Sequence, residues 1–318
     1  MLKSKPQIAV SGSLAYDKIM NFPGRFADHI LPTQIHQLNL SFLLSSLRQS
    51  FGGTAGNIAY NLALLEEKPI ILAVVGSDFY FYKEWLKKQA VDLSRVQVIN
   101  SSVTAVAHII TDKSDNQIAG FYPGPKLKKL PRALTELPKV SLAIVAPDDP
   151  GRMLAYVKNY QSKKIPYIFD PGQAITALKT AALKVAVNGA KVLIGNDYEI
   201  KLITDRLNIT LSQLIKKVEI LVITKGEAGS EIYQGDKKIK IKPAKPKNAS
   251  DPTGAGDAYR AGLIKGLISG YNLKTCGQLA ALVAVYTVEK YGTQTHRFSL
   301  KELRTRYYSN FKERLVIS

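Results

Sequence analysis

The stretch Asp251-Pro-Thr-Gly-Ala-Gly-Asp-Ala-Tyr-Arg-Ala-Gly262 sets a carboxylate beside three nearly bare backbone units. Asp251 and Pro252 interrupt whatever precedes them. From Ala258 onward, apolar residues (Ala261, Leu263, Ile264, Leu267, Ile268) return at helical spacing. A small-residue turn opening a helix offers unpaired N–H groups and the positive end of the helix dipole to an anion. Gly254, Ala255 and Gly256 would form that cradle, with Asp257 at its edge. The pairing suits phosphoryl transfer: the N–H groups hold the migrating group, and the carboxylate takes the proton of the attacking hydroxyl. A helix start capped by Asp or Thr is the competing use of these residues.

Two further places bring polar groups toward such a site. Gln7-Ile-Ala-Val-Ser-Gly-Ser13 reads as a buried strand entering a turn, and Asp17 follows where the strand would open onto a cleft. Ligands of open α/β sheets gather at such strand ends; a turn-stabilising Asp is the alternative. In Phe51-Gly-Gly-Thr-Ala-Gly-Asn-Ile-Ala-Tyr-Asn-Leu-Ala-Leu-Leu65, Gly52 and Gly53 permit close approach of backbone to ligand. Asn57 begins an amphipathic helix from which it could reach a polyol, or it belongs to a tight loop with a helix cap.

The elements that must hold these residues alternate. Strand Ile70–Val75 and helix Phe79–Gln89 follow the glycine pair. Ser141–Ala146 is a continuous apolar run, as a strand covered on both faces requires. Helix Pro150–Gln161, strand Pro166–Phe169, helix Ala174–Val187, strand Lys191–Gly195 and strand Leu221–Thr224 continue the rhythm. A hairpin turns at Gln234-Gly-Asp236, and three helices, the first opened by the Gly-rich stretch, end the chain. This pattern predicts an α/β fold with a doubly wound, mostly parallel sheet between helices. Two polar-faced β regions interrupt it: a half-exposed strand at Gln34–Phe42, and a hairpin made of Ala105–Thr111 and Gln117–Tyr122. They predict a small β sheet, a discontinuous unit of 15–50 and 103–122, beside a main domain of 1–14, 51–102 and 123–318.

Composition narrows the function classes. The chain has 318 residues, 46% hydrophobic and 22% charged, enough for a sizeable core. No apolar run is long enough to span a bilayer, and the N-terminus does not read as a signal peptide, so the cytoplasm is the expected location. One cysteine, Cys276, rules out an intrachain disulfide and a cysteine-rich zinc site. A net charge of +19 permits nucleic-acid binding, but the lysines are spread along the chain without a recognition motif, so a surface favouring small anionic substrates is expected. No Gly-Lys pair occurs, which excludes a P-loop, and no Gly-x-Gly-x-x-Gly follows the first strand. The four histidines lack zinc-protease spacing and read as surface or packing residues.

Gly52-Gly-Thr-Ala-Gly-Asn57 and Asp251–Gly262, in this order and at this separation, resemble the two signatures of the ribokinase-like carbohydrate kinases, the PfkB family, and Asn196-Asp-Tyr-Glu199 is similar to its Asn-x-x-Glu element. The resemblance covers nearly the whole chain. It implies a small β lid over the doubly wound domain and an ATP-dependent kinase in which Asp257 is the base and Gly254, Ala255 and Gly256 the anion hole. It places Asn196, Thr224, Gly226, Gly229 and Thr253 along ATP, and Glu199 near Mg²⁺ through water. Asp17, Gly52, Gly53 and Asn57 would hold the acceptor hydroxyls. Ser11–Asp17, Phe22–Ile30, Asp251–Arg260 and Tyr291–His296 look most like bacterial adenosine kinases, implying adenosine as the acceptor, with a sugar or sugar phosphate as the alternative. Phe121 could stack on the base, although packing within the lid is favoured for it. Phe79-Tyr-Phe-Tyr82 and Ala90-Val-Asp92 depart from the family pattern, and are read as changes to a surface helix more than to the chemistry. The family leaves open a monovalent cation such as K⁺, and a monomer or a lid-mediated homodimer.

Overall fold

The computed structural model describes residues 7–30, 39–127 and 129–317. The buried runs predicted as strands lie side by side: β1 (Ile8–Ser11), β4 (Ile70–Gly76), β8 (Leu142–Val145), β9 (Tyr167–Phe169), β10 (Val192–Asn196) and β11 (Ile220–Thr224). With the short edge strand β5 (Val96–Ile99) they pair in parallel, and β12 (Ser230–Gln234) and β13 (Lys237–Ile241) add an antiparallel hairpin. Among the described residues the order is β13-β12-β11-β10-β9-β8-β1-β4-β5, so the chain reverses its direction of travel across the sheet between neighbours β1 and β8.

Side chains alternate between two cores, as the period of two in a strand dictates. Ile8, Val10, Ile144, Val192, Ile194 and Val222 face helices α1 (Thr54–Leu64), α8 (Ala255–Ile268), α9 (Leu273–Val288) and α10 (Leu300–Phe311). Ala9, Ala143, Val145, Phe169, Leu193 and Leu221 face α4 (Pro150–Ser162), α5 (Thr180–Asn188) and α6 (Asp197–Leu207). Helices α2 (Tyr80–Lys88), α3 (Arg132–Thr135) and α7 (Leu211–Ile215) complete the cover. On the outer strand β13, exposed Lys237, Lys238 and Lys240 ward off a further strand, since pairing there would strip water from their charges. Part of the basic balance therefore serves the sheet edge.

A second sheet, order β3-β2-β6-β7, stands apart from the first. It contains β2 (Ala15–Asn21), β3 (Ser46–Gly52), β6 (Ala105–Thr111) and β7 (Gln117–Tyr122). Pairs β2–β3 and β6–β7 are antiparallel, and β2–β6 is parallel. Two expectations differ from this architecture. Of the strand expected at Gln34–Phe42, residues 34–38 lie outside the described residues and 39–42 are not strand; the strand is β3, whose first four residues are exposed. An edge strand wet on both faces has no apolar alternation to announce it. The helix expected over Ala174–Val187 is divided, because Lys179 is extended (ψ 144°) and restarts it as α5 after a 3-10 turn. Strands β2, seven residues, and β5, four residues, are not among the predicted strands.

Candidate active site

A cleft of about 460 Å³ opens beyond the C-terminal ends of β1, β8, β9, β10 and β11, where the strand order reverses. The main sheet contributes Ser13, Pro147, Asp170, Asn196 and Thr224; the start of α8 contributes Gly254, Gly256, Asp257 and Arg260. The small sheet forms the opposite wall through Asp17, Ala107 and Phe121.

The turn before α8 is built so that no side chain caps the helix. Asp251 commits its carboxylate to Thr253 N (2.9 Å) and Gly292 N (3.0 Å), fixing the turn rather than the helix start. Gly254 then occupies the N-cap position in the left-handed region (φ 79°), without a side-chain hydrogen bond. A β-carbon there would lie 2.9 Å from Thr293 Cγ2, so strain and crowding both call for glycine. The positive end of α8 is left facing the cleft.

Asp257 stands in the first turn of α8, partly buried, with Oδ2 accepting from Asn57 Nδ2 at 2.8 Å. Burial pushes its carboxyl up to about 7; the Asn57 hydrogen bond and Arg260 pull downward, while Asp170 and Asp17 add to the rise. Ionisation near neutrality is the property a general base needs. Across the cleft, Asp17 is raised to about 6, by burial and then by the charge of Asp251. The bare Cα of Gly52 makes room for it: a β-carbon at Gly52 would come within 2.3 Å of Asp17 Oδ2. Gly53 (φ 84°) turns the chain from β3 into α1 so closely that a β-carbon would lie 2.6 Å from Ser13 O and Ala15 N.

Asn196 and Glu199 form a capping box at the start of α6. Asn196 Oδ1 accepts from Glu199 N (2.7 Å), and Glu199 Oε2 accepts from Asn196 N (2.8 Å). Burial raises the Glu199 carboxyl, against the Asn196 N–H that lowers it. Among the described residues, no group of three or more His, Cys, Asp or Glu side chains could hold a metal ion. Glu199, outside any such group, fits Mg²⁺ that arrives on phosphates and keeps its water, rather than a metal caged by protein.

Of the expected site residues, Asp17, Gly53, Asn57, Phe121, Asn196, Glu199, Thr224, Thr253, Gly254, Gly256 and Asp257 line this one cleft. Gly52, Ala255, Gly226 and Gly229 do not. Gly226 is exposed in open space, and Gly229 (φ 88°) lets β12 leave its turn against Ile241 O. Phe121, favoured as packing within the small sheet, is instead 60% exposed on the cleft wall, because β7 is exposed along its whole length.

The sequence reading missed two buried arrangements. Arg260 grips Asp170 through two hydrogen bonds (Nε to Oδ2, 2.7 Å; Nη2 to Oδ1, 3.1 Å), directly below Asp257 on the helix. Burial alone would lower the Arg260 pKa, but Asp170 more than offsets it and holds the guanidinium charged. The second joins Asn57 to Gln294 and Tyr82. Tyr82, read as part of a surface helix, is fully buried and donates to Gly52 O at 2.8 Å, so the departure at 79–82 reaches the site. No local spacing links Arg260 to Asp170 or Asn57 to Gln294; Arg260, Asn57, Tyr82 and Gln294 stand in stretches singled out in the sequence, but as separate pieces.

The model of the pfkB family of carbohydrate kinases matches residues 14–298, which include both glycine-rich segments of this cleft. The chain belongs to that family. This pfkB kinase is 34% identical over 264 residues to a nucleoside kinase of Methanocaldococcus jannaschii, covering 81% of this chain and 85% of the relative. A nucleoside kinase of Methanothermobacter thermautotrophicus is likewise 34% identical, over 81% of this chain and 84% of its own. Among solved structures, Burkholderia thailandensis nucleoside kinase in complex with inosine superposes with a TM-score of 0.84 at 34% identity, over 96% of this chain and 99% of that one. The pfkB kinase thus has the ribokinase-like α/β fold, a mostly parallel sheet with a small second sheet, and is a phosphotransferase acting on an alcohol group. Among the described residues no helix is long and apolar enough to cross a membrane.

Proposed function

We propose that the protein is an ATP-dependent nucleoside kinase that transfers the γ-phosphoryl to the 5′-hydroxyl of a purine nucleoside, adenosine first among them. The observation that carries the reading is Asp257: a carboxyl poised near neutrality, in the first turn of an uncapped helix, lining the cleft between the two sheets. Asp257 takes the proton from the acceptor hydroxyl as that oxygen attacks. The N–H groups at Gly254 and Gly256 receive the charge spread over the migrating phosphoryl, a loose transition state that positioning and electrostatics serve best, while the Ala255 N–H donates to Pro252 O (3.1 Å) and holds the turn. Asn196, Thr224 and Thr253 would lie along the nucleotide, and Glu199 would hold Mg²⁺, which would neutralise phosphate charge.

The acceptor assignment rests on the small sheet. Asp17 pairs across β2–β6 with Ala107, and Ala107 across β6–β7 with Phe121, so the three form one row on the cleft wall. At about 4.8 Å per strand the row spans about 10 Å. Asp17 binds ribose hydroxyls at one end, Ala107 leaves space, and Phe121 stacks on the base at the other. Two relatives at 34% identity are nucleoside kinases, and the Burkholderia enzyme was solved with inosine, which supports a nucleoside over a free sugar. ATP consumption with adenosine, inosine, cytidine, ribose and fructose 6-phosphate tests the reading. Purine nucleosides should give the highest kcat/KM; faster turnover of ribose would make the protein a sugar kinase.

A further inference from the structure

The segment Tyr291–His296 follows α9 and has no part in the chemistry assigned above. Its Gln294 is 4% exposed and makes three hydrogen bonds. Oε1 accepts from the Trp85 indole Nε1 (2.9 Å), while Nε2 donates to Asn57 Oδ1 (3.0 Å) and to the Tyr82 hydroxyl (2.6 Å). Donor inventory alone sets the direction of this chain. An indole N–H can only donate, so the oxygen of Gln294 must face Trp85. The Tyr82 hydroxyl has already given its proton to Gly52 O, so it can only accept from Gln294. With an N–H of Gln294 aimed at it, the Asn57 amide must present its oxygen to Gln294 and its NH₂ to Asp257 Oδ2, 2.8 Å away.

We infer that Gln294 is a positioning residue for phosphoryl transfer: it holds the Asn57 amide with its NH₂ group on Asp257, readying that carboxylate in its charged form for the acceptor hydroxyl. The inference rests on Asp257 being the base. Turned the other way, the Asn57 amide would set oxygen against oxygen, a contact that only a protonated Asp257 tolerates, and a protonated carboxyl cannot accept the acceptor's proton. The chain also reaches the small sheet, since Tyr82 bonds the carbonyl of Gly52 at the end of β3, beside Asp17. The charged groups around Asp257 are Arg260 on α8, Asp170 after β9 and Asp17 on β2. Substitution at 294 leaves all three in place.

The test is the pH profile of kcat in Gln294→Met, which keeps the length of the side chain and removes its amide. Losing a hydrogen bond to the charged form should move the acidic limb up by about 0.5–1 pH unit. Turnover would then drop about 3- to 8-fold at pH 6.5, yet stay within about twofold of wild type at pH 9, with the KM for ATP unchanged. If Gln294→Met does not fold, the smaller Gln294→Ala takes its place: uncharged and with no N–H for Asn57, it should move the limb in the same direction. A folded variant whose limb stays put, with kcat unchanged or lowered equally at every pH, overturns the inference. Wild type and Asp257→Asn run alongside separate the two claims. If the wild-type limb survives in Asp257→Asn, the base assignment itself has failed; if it vanishes there but does not move in the Gln294 variant, only the role of Gln294 has.

Discussion

Replacing Asp257 by Asn should make the protein slower and sturdier at once. Folding lifts this carboxyl from 3.8 to about 7. A carboxyl raised in this way holds its proton more tightly in the folded chain than in the unfolded one. Its contribution to stability is therefore full below about pH 4 and is lost as the pH climbs through about 7. A rise of roughly three pH units corresponds to about 4 kcal/mol, and the partial opening of Asp257 to the cleft reduces that to on the order of 2–3 kcal/mol. Asparagine cannot ionise and escapes the penalty, while its amide oxygen still accepts from Asn57. Denaturant unfolding of both proteins between pH 4 and 8.5 measures the difference, and kcat at pH 8 measures the chemistry. The stability gap should grow from near zero at pH 4 to about 2–3 kcal/mol in favour of the variant at pH 8, and turnover should fall about 10²–10⁴-fold. Parallel stability curves, or a variant weaker than wild type at pH 8, would refute the claim that burial of an ionised Asp257 sets its pKa.

Three further outcomes follow from the same geometry. Asp17→Ala should raise the acceptor KM about 10- to 100-fold, the worth of hydrogen bonds to a charged group, with the KM for ATP within about twofold; steady-state kinetics with each substrate varied decide it, and an unchanged acceptor KM counts against the assignment. Gly53→Ala forces a β-carbon to within 2.6 Å of Ser13 O at φ 84°; thermal unfolding should show a loss of at least about 1–3 kcal/mol, and an unshifted midpoint would mean the turn accepts a side chain without strain. Arg260→Met leaves Asp170 buried without its partner and should cost about 3–5 kcal/mol, much of it recovered in the double variant with Asp170→Leu; additive losses in the denaturation cycle would show that the two do not act as a pair.

What could be read from the chain was what repeats or what is chemically bare. Runs such as Ser141–Ala146 and Lys191–Gly195 place β8 and β10 because a strand covered on both faces needs uninterrupted apolar residues. The Asp251–Gly262 stretch was legible because glycines and a carboxylate in one turn leave few structural uses. Strand β3 of the small sheet escapes this kind of reading, since a strand with solvent on both sides carries no pattern. The polar support of the site was out of reach for another reason. Asn57 meets Gln294 across 237 residues, and Asp170 meets Arg260 across 90. Such contacts exist only after the sheet has brought α1, α8 and the segment beyond α9 together, and no local spacing encodes them. Tyr82 illustrates the cost: within its own helix it looks like one more aromatic on a wet face, and only the fold turns its hydroxyl toward Gly52.

Trp85 is the sole tryptophan in the chain. Its indole is half-buried, is hydrogen-bonded to Gln294, and lies 6.0 Å from the ring of Phe51 at the end of β3. Excited beyond the absorption band of the 16 tyrosines, the protein therefore emits from a single ring at the junction between the small sheet and the cleft. Any displacement of β3 by a bound acceptor would change the polarity and the quenching around that ring together. Such a change would be timed in a stopped-flow instrument on the unlabelled protein, separately from phosphoryl transfer.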